Sequence, residues 1–154
     1  MHEDTKTRRH EEGVAVADVE QVAGIVIDLG VRLHRRLGPG LLESVYEMVL
    51  YEQLLRAGLS VERQKAVGVE IDGIRIADAF RIDLLVERCL VVEIKSVDGL
   101  LPVHTKQLLT YLKLLGLNIG LLMNFNQETL KDGLRRVVSG PTSFVPSRLR
   151  ANSQ

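Results

Sequence analysis

The feature that most constrains this chain is a change of period. Between residues 59 and 96 the stretch LSVERQKAVGVEIDGIRIADAFRIDLLVERCLVVEIKS alternates apolar and polar residues in short runs broken by turn signals, the two-residue period of β-strands. On either side, apolar residues recur every three or four positions, which is helical spacing. A block of strands enclosed by helices forces a layered architecture, because each element must bury its apolar side against another.

Upstream, VADVEQVAGIVIDLGVRLHRRLG spaces Val19, Val22, Ile25 or Val26, Leu29 and Leu33 along one helical face, and GPG at 38–40 ends it. Gly24 and Gly30 weaken that helix by about 1 kcal/mol each relative to alanine. A second helix, LLESVYEMVLYEQLLRAG, is expected to turn Leu42, Val45, Val49 (with Met48), Leu54 and Leu55 inward and to stop at Gly58. Within the strand block, Asp72-Gly73 is a hairpin signal, and RIDLLV and LVVEIK are two further strands joined around Glu87–Cys89, giving three or four antiparallel strands. VHTKQLLTYLKLLG is a third helix with Pro102 near its first turn and Gly116 at its end. IGLLMNF reads as a fully buried strand, and ETLKDGLRRVV as a short helix or a strand-like extension. The expected order is α-α-β-β-β-β-α-β, an α+β (mixed α/β) domain over residues 18–138 with a central mixed sheet flanked by helices. Residues 1–17 and 139–154 are polar tails.

Composition removes several classes of function. A chain of 154 residues buries a core without staples, and its one cysteine rules out an intramolecular disulfide framework and suits a reducing compartment. The start MHEDTKTRRHEE lacks the apolar segment of a signal peptide, and no apolar run approaches the ~18–20 residues that cross a bilayer. The expectation is a soluble cytoplasmic protein with no membrane partner. Lys+Arg and Asp+Glu each number 20, so nucleic-acid binding would rest on a local basic patch rather than on net charge.

The chemistry centres on VVEIKS at 91–96. Glu93 and Lys95 share one strand face, while Val92 and Ile94 take the other. Either the strand has one wet face at a sheet edge, or the pair is functional. With 12 Glu and 6 Lys, chance supplies about half a Glu-x-Lys per chain, so the tripeptide alone decides nothing, and a surface salt bridge would look the same. On the preceding strand Arg81 and Asp83 share a face opposite Ile82, Leu84 and Val86, and a hairpin about Glu87–Cys89 brings Asp83 close to Glu93. Two neighbouring carboxylates are costly to ionise together unless a cation separates them. Hard oxygen donors suit Mg2+ or Mn2+, and Lys95 beside them could position a water or balance transition-state charge. On the second helix Glu43 and Tyr46 lie three apart; on the third, His104, Gln107 and Tyr111 form a polar stripe flanked by Lys106 and Lys113. Each of these is also compatible with an ordinary solvated helix face.

GPGLLESVYE, LSVERQ, FRIDLLVE, VVEIKS, LLPVHTKQLLTYLKLLGLNIGLLMNFN and LKDGLRRVV, in this order, resemble the GxxExxY protein family, whose name motif corresponds to Gly40, Glu43 and Tyr46. The resemblance runs from about His34 to Val138. It implies the restriction-endonuclease-like core of the PD-(D/E)xK nuclease-like superfamily, in the order α-β-β-β-α-β, and a Mg2+-dependent site. Asp83 then matches the aspartate of the PD motif, with Ile82 in the place of its proline. Glu93 and Lys95 match the (D/E)xK pair, Glu43 the acidic residue on the leading helix, and Gln107 the polar residue on the following helix, with Tyr111 one turn on.

Residues and resemblance together predict a Mg2+- or Mn2+-dependent nuclease. Asp83 and Glu93 would bind metal, with the Ile94 carbonyl as a further ligand. Lys95 would assist the attacking water, Glu43 would support the metal site, and Gln107 would orient Lys95 or the phosphate. Tyr46, Tyr111 and His104 are secondary candidates. The alternative is a catalytically silent module on the same fold that binds nucleic acid or a protein partner. The apolar face of the first helix could serve a homo-oligomer as readily as the core.

Overall fold

A computed structural model describes residues 19–140; the expected tails, apart from Ser139 and Gly140, lie outside the described residues. Helices α1 (Val19–Leu37) and α2 (Glu43–Arg56) lead into strands β1 (Val61–Ile71), β2 (Ile74–Val86) and β3 (Leu90–Lys95). Then follow α3 (Pro102–Leu115), β4 (Ile119–Asn124), the single turn α4 (Leu130–Gly133) and β5 (Leu134–Val138). The strand block therefore holds three strands rather than four, because residues 74–86 form one long strand. ETLKDGLRRVV divides into α4 and β5, so both expectations for it apply, each to one half.

The sheet is ordered β1-β2-β3-β4-β5. β1–β2, β2–β3 and β4–β5 are antiparallel, while β3 and β4 are parallel and joined through α3, as a parallel pair requires a crossover. Helices cover both faces. On one side Val22, Ala23, Val26 and Leu33 of α1 and Tyr46, Leu50 and Leu54 of α2 pack on Leu84, Val86, Leu90, Val92 and Ile94. On the other, Leu108 and Leu112 of α3 pack on Ile82, Leu85, Val91 and Leu122. The apolar face of α1 is thus used within the chain. Among the described residues no helix is long and apolar enough to cross a membrane.

Three sequence expectations change. First, α2 is rotated: Leu42, Val45, Met48 and Leu55 are exposed, and Tyr46, Glu47, Leu50 and Leu54 are buried. The rotation follows from Tyr46, which stacks on Phe125 at 4.5 Å between ring centroids. Its hydroxyl donates to the Gly38 carbonyl at 2.6 Å and accepts from the Leu41 amide at 3.1 Å. Second, Gly30 is a point of close packing as well as a helix weakness, since a Cβ there would press on the terminal methyls of Met123 and Leu130. Third, β3 has no wet face. It lies between β2 and β4, and every residue from Leu90 to Ile94 is buried.

The turns follow their residues. Asp72 and Gly73 both adopt positive φ, 53° and 78°, the geometry that matches the twist of a hairpin. Beyond Lys95 the chain is held by the buried Asn124: its side chain accepts from the Val97 amide at 3.0 Å and donates to the Val97 carbonyl at 2.9 Å. The Phe125 amide bonds the Lys95 carbonyl at 2.9 Å, so the end of β3 and the residues after it are tied to the end of β4.

Candidate active site

β2 and β3 pair only at Leu84–Val92, Leu85–Val91 and Val86–Leu90. The next pair in register would be Asp83 and Glu93, and there the ladder stops. Asp83 Oδ2 accepts the Ile94 amide at 2.8 Å, and Glu93 Oε1 lies 3.4 Å from the Asp83 amide. Carboxyl oxygens thus take the place of backbone carbonyls as acceptors where the ladder between the two strands stops. The proximity expected from the hairpin is present.

The same level disturbs β1. Gln64, the register partner of Asp83, has φ 51°, a left-handed conformation that costs a non-glycine residue on the order of 1–2 kcal/mol. Alternation reverses across this point: Leu84 and Val86 face the α1–α2 core, whereas Ile82 faces the α3 core. The expectation that Ile82 shares a face with Leu84 and Val86 is therefore corrected, because the strand pair does not keep its two-residue period through Gln64 and Asp83.

A cavity of about 480 Å³ opens beside Asp83, lined by Leu41, Leu42, Glu43, Ser44, Glu47, Gln64 and Ser96 as well. Two of these residues escaped the sequence reading. Glu47 is 5% exposed; its Oε2 pairs with Arg63 Nη1 at 3.0 Å and its Oε1 accepts from Gln64 Nε2 at 2.7 Å. Gln64 Nε2 also donates to Asp83 Oδ1 at 3.1 Å. One signal was available: Glu47 follows Glu43 by four residues, one helical turn away on the same face. Another was the polar run Glu62–Lys65, which breaks the alternation of β1.

The other expected residues are distributed around this centre. Glu43 lines the cavity and accepts the Ser96 amide at 3.2 Å, while Ser96 Oγ donates to the Leu41 carbonyl at 2.7 Å. The start of α2 is thereby tied to the residue after Lys95. Glu93 lies beside Asp83, but neither Glu93 nor Lys95 lines the cavity. Gln107 is exposed, one turn before Tyr111, and its side chain acts on the Tyr111 hydroxyl. Tyr111 stacks on Phe80 at 4.2 Å and feels the charges of Glu93 and Asp83. His104 is committed locally, its Nδ1 accepting the Leu101 amide at 3.0 Å at the start of α3. Tyr46 is fully buried in the core, where it anchors the turn before Glu43.

The electrostatics are those of crowded, buried carboxyls. Burial, and then the charge of Asp83, pushes the Glu93 carboxyl up to about 9, with Lys95 pulling the other way. Burial also raises the Glu47 carboxyl, against the hydrogen bonds from Arg63 and Gln64. The Tyr111 hydroxyl is raised by burial and then by Glu93 and Asp83. Among the described residues no three His, Cys, Asp or Glu side chains group as a metal cluster. The adjacent pair Asp83 and Glu93 nonetheless fits a hard divalent ion. Its donors are oxygens, and a cation there would oppose the burial and the Asp83 charge that raise the Glu93 carboxyl. Mg2+ is commonly bound by one or two carboxylates, with water and substrate phosphate completing its shell.

The family model for the PD-(D/E)XK nuclease superfamily matches residues 20–137 of the chain. No curated protein and no solved structure matches it.

Proposed function

Since the chain belongs to the PD-(D/E)XK nuclease superfamily, we propose that it is a Mg2+- or Mn2+-dependent nuclease that hydrolyses nucleic-acid phosphodiester bonds, of the GxxExxY branch. The observation that carries this reading is the opening between β2 and β3, where the half-buried Asp83 carboxylate on the cavity wall lies beside the buried Glu93 carboxyl. An acidic pair in the place of a ladder rung, with one member facing the cavity, suits a cation and a phosphate.

Asp83 and Glu93 would hold the ion, with the Ile94 carbonyl as a further donor. When bound, the ion supplies Lewis-acid stabilisation of phosphate charge and a more acidic water. Lys95, two residues along β3 from Glu93, brings an ammonium to the same place, where it orients the attacking water and balances the charge that grows on the phosphate oxygens. Glu43 holds the Ser96 amide and so fixes the exit of β3 immediately after Lys95. Gln107 and Tyr111, one turn apart on α3, would form the side from which a phosphate approaches Glu93. Tyr46 and His104 act through the backbone they hold, not on substrate.

The test is cleavage of labelled DNA and RNA by the full chain with Mg2+ or Mn2+, beside Lys95→Ala and Asp83→Ala. Each substitution is expected to lower the rate about a thousandfold while circular dichroism shows the fold retained. A wild-type protein that binds nucleic acid, cleaves none and takes up no Mn2+ sinks the nuclease reading in favour of a silent binding module.

A further inference from the structure

Gln64 holds a conformation that its side chain disfavours. At φ 51° inside β1 it sits where a non-glycine residue persists only if its surroundings over-determine it. Those surroundings are the candidate site. The amide nitrogen of glutamine carries two protons, and both have carboxylate acceptors: Glu47 Oε1 at 2.7 Å and Asp83 Oδ1 at 3.1 Å. Glu47 is itself fixed, buried on α2 with its second oxygen on Arg63 at 3.0 Å. Beyond Gln64, the second oxygen of Asp83 takes the Ile94 amide at 2.8 Å. A continuous line of contacts, Arg63–Glu47–Gln64–Asp83–Ile94, therefore joins α2, β1, β2 and β3.

We propose that Gln64 is a positioning residue that locks the Asp83 carboxylate, with the Arg63–Glu47 pair as its abutment. A carboxylate held by an N–H donor at each oxygen cannot rotate about its terminal bond, so its remaining lone pairs keep one direction. The left-handed backbone is the device. It coincides with the point where the strand pair changes faces, and it brings the Gln64 amide into the cavity beside Asp83. The structural part of this inference is independent of any metal. Its consequence for metal binding rests on the reading of Asp83 as a ligand.

Two variants test it in the full chain. Gln64→Gly adopts positive φ freely and lacks the amide. Gln64→Asn tolerates the left-handed region and keeps an amide that is one methylene too short. The first readout is metal-free hydrogen exchange at the Ile94 amide, which reports directly on Asp83. In both variants it is expected to speed about tenfold, approaching Asp83→Ala, with Val91 and Val92 unchanged. The second is Mn2+ calorimetry, where affinity is expected to fall about 10–100-fold, with kcat lowered and KM retained in cleavage assays. Wild-type exchange at Ile94 in both variants, against a faster rate in Asp83→Ala, overturns the proposal. Equal loosening along all of β3 overturns it too, since that marks a general structural role. If wild-type protein takes up no Mn2+, the nuclease reading fails, and the Ile94 measurement still decides the positioning role.

Discussion

The two ends of the β2–β3 pair differ sharply in register and hydrogen bonding. At the hairpin end, Leu84, Leu85 and Val86 face Val92, Val91 and Leu90 in an unbroken ladder, and all six are buried. They obey strict alternation: Leu84, Val86, Leu90 and Val92 enter one core, Leu85 and Val91 the other. One position further, Asp83 and Glu93 replace ladder bonds with side-chain acceptors, and Gln64 leaves the extended conformation. The regular end gains from burial on both faces, and it anchors an irregular end where two carboxyls crowd together. The packed core and the candidate site thus occupy opposite ends of a single strand pair.

The largest test of that separation is at the regular end. Leu84→Ala removes a fully buried side chain and should cost about 3 kcal/mol, lowering Tm by on the order of 10 °C. Cleavage per folded molecule should stay within a few-fold of wild type at low temperature. A kcat that collapses while the protein is still folded would show that the two ends are not independent.

The irregular end should respond in the opposite sense. The folded Glu93 carboxyl titrates near 9, above its ordinary value of 4.5, so the fold favours the protonated form. Its stabilising contribution is full below about pH 4.5 and is lost as pH rises toward 9. Metal-free protein should therefore lose stability across this window. Glu93→Gln, which keeps the shape without the charge, should flatten the curve and raise Tm at pH 8 by roughly 5 °C, while abolishing cleavage. Thermal melts in chelator from pH 5 to pH 9 decide it; parallel curves for the two proteins would refute the account of Glu93.

The smallest expected effect lies at the turn that delivers Glu43, which is tied to the chain just beyond the irregular end. Tyr46→Phe keeps the stack on Phe125 but loses the bonds to Gly38 and Leu41, which should cost about 1 kcal/mol. If urea denaturation shows no change, the hydroxyl is not what sets the rotation of α2.

Much of this was legible before any coordinates. The period change at residue 59 gave the layers, Asp72-Gly73 gave a hairpin whose φ values agree, and the turn at Glu87–Cys89 put Asp83 opposite Glu93 by counting alone. These are local properties, fixed by side-chain volume and backbone preference within a few residues. The face of α2 was misjudged because Leu42, Val45 and Leu55 are apolar and well spaced, yet the buried face is chosen by Tyr46, which finds Phe125 far along the chain.

Glu47 and Gln64 were hidden for the same kind of reason. A glutamate beside an arginine-bearing strand and a glutamine in a polar run look like solvated surface until folding closes the distance between them and Asp83. The sequence by itself determined the order of elements, the turns and the pairing that sets two carboxylates side by side, because those follow from periodicity and chain connectivity. Only the tertiary structure decided that β3 is central and buried on both faces, and which residues grip Asp83. Those outcomes depend on long-range packing, where the burial of one element sets the dielectric and the partners of another.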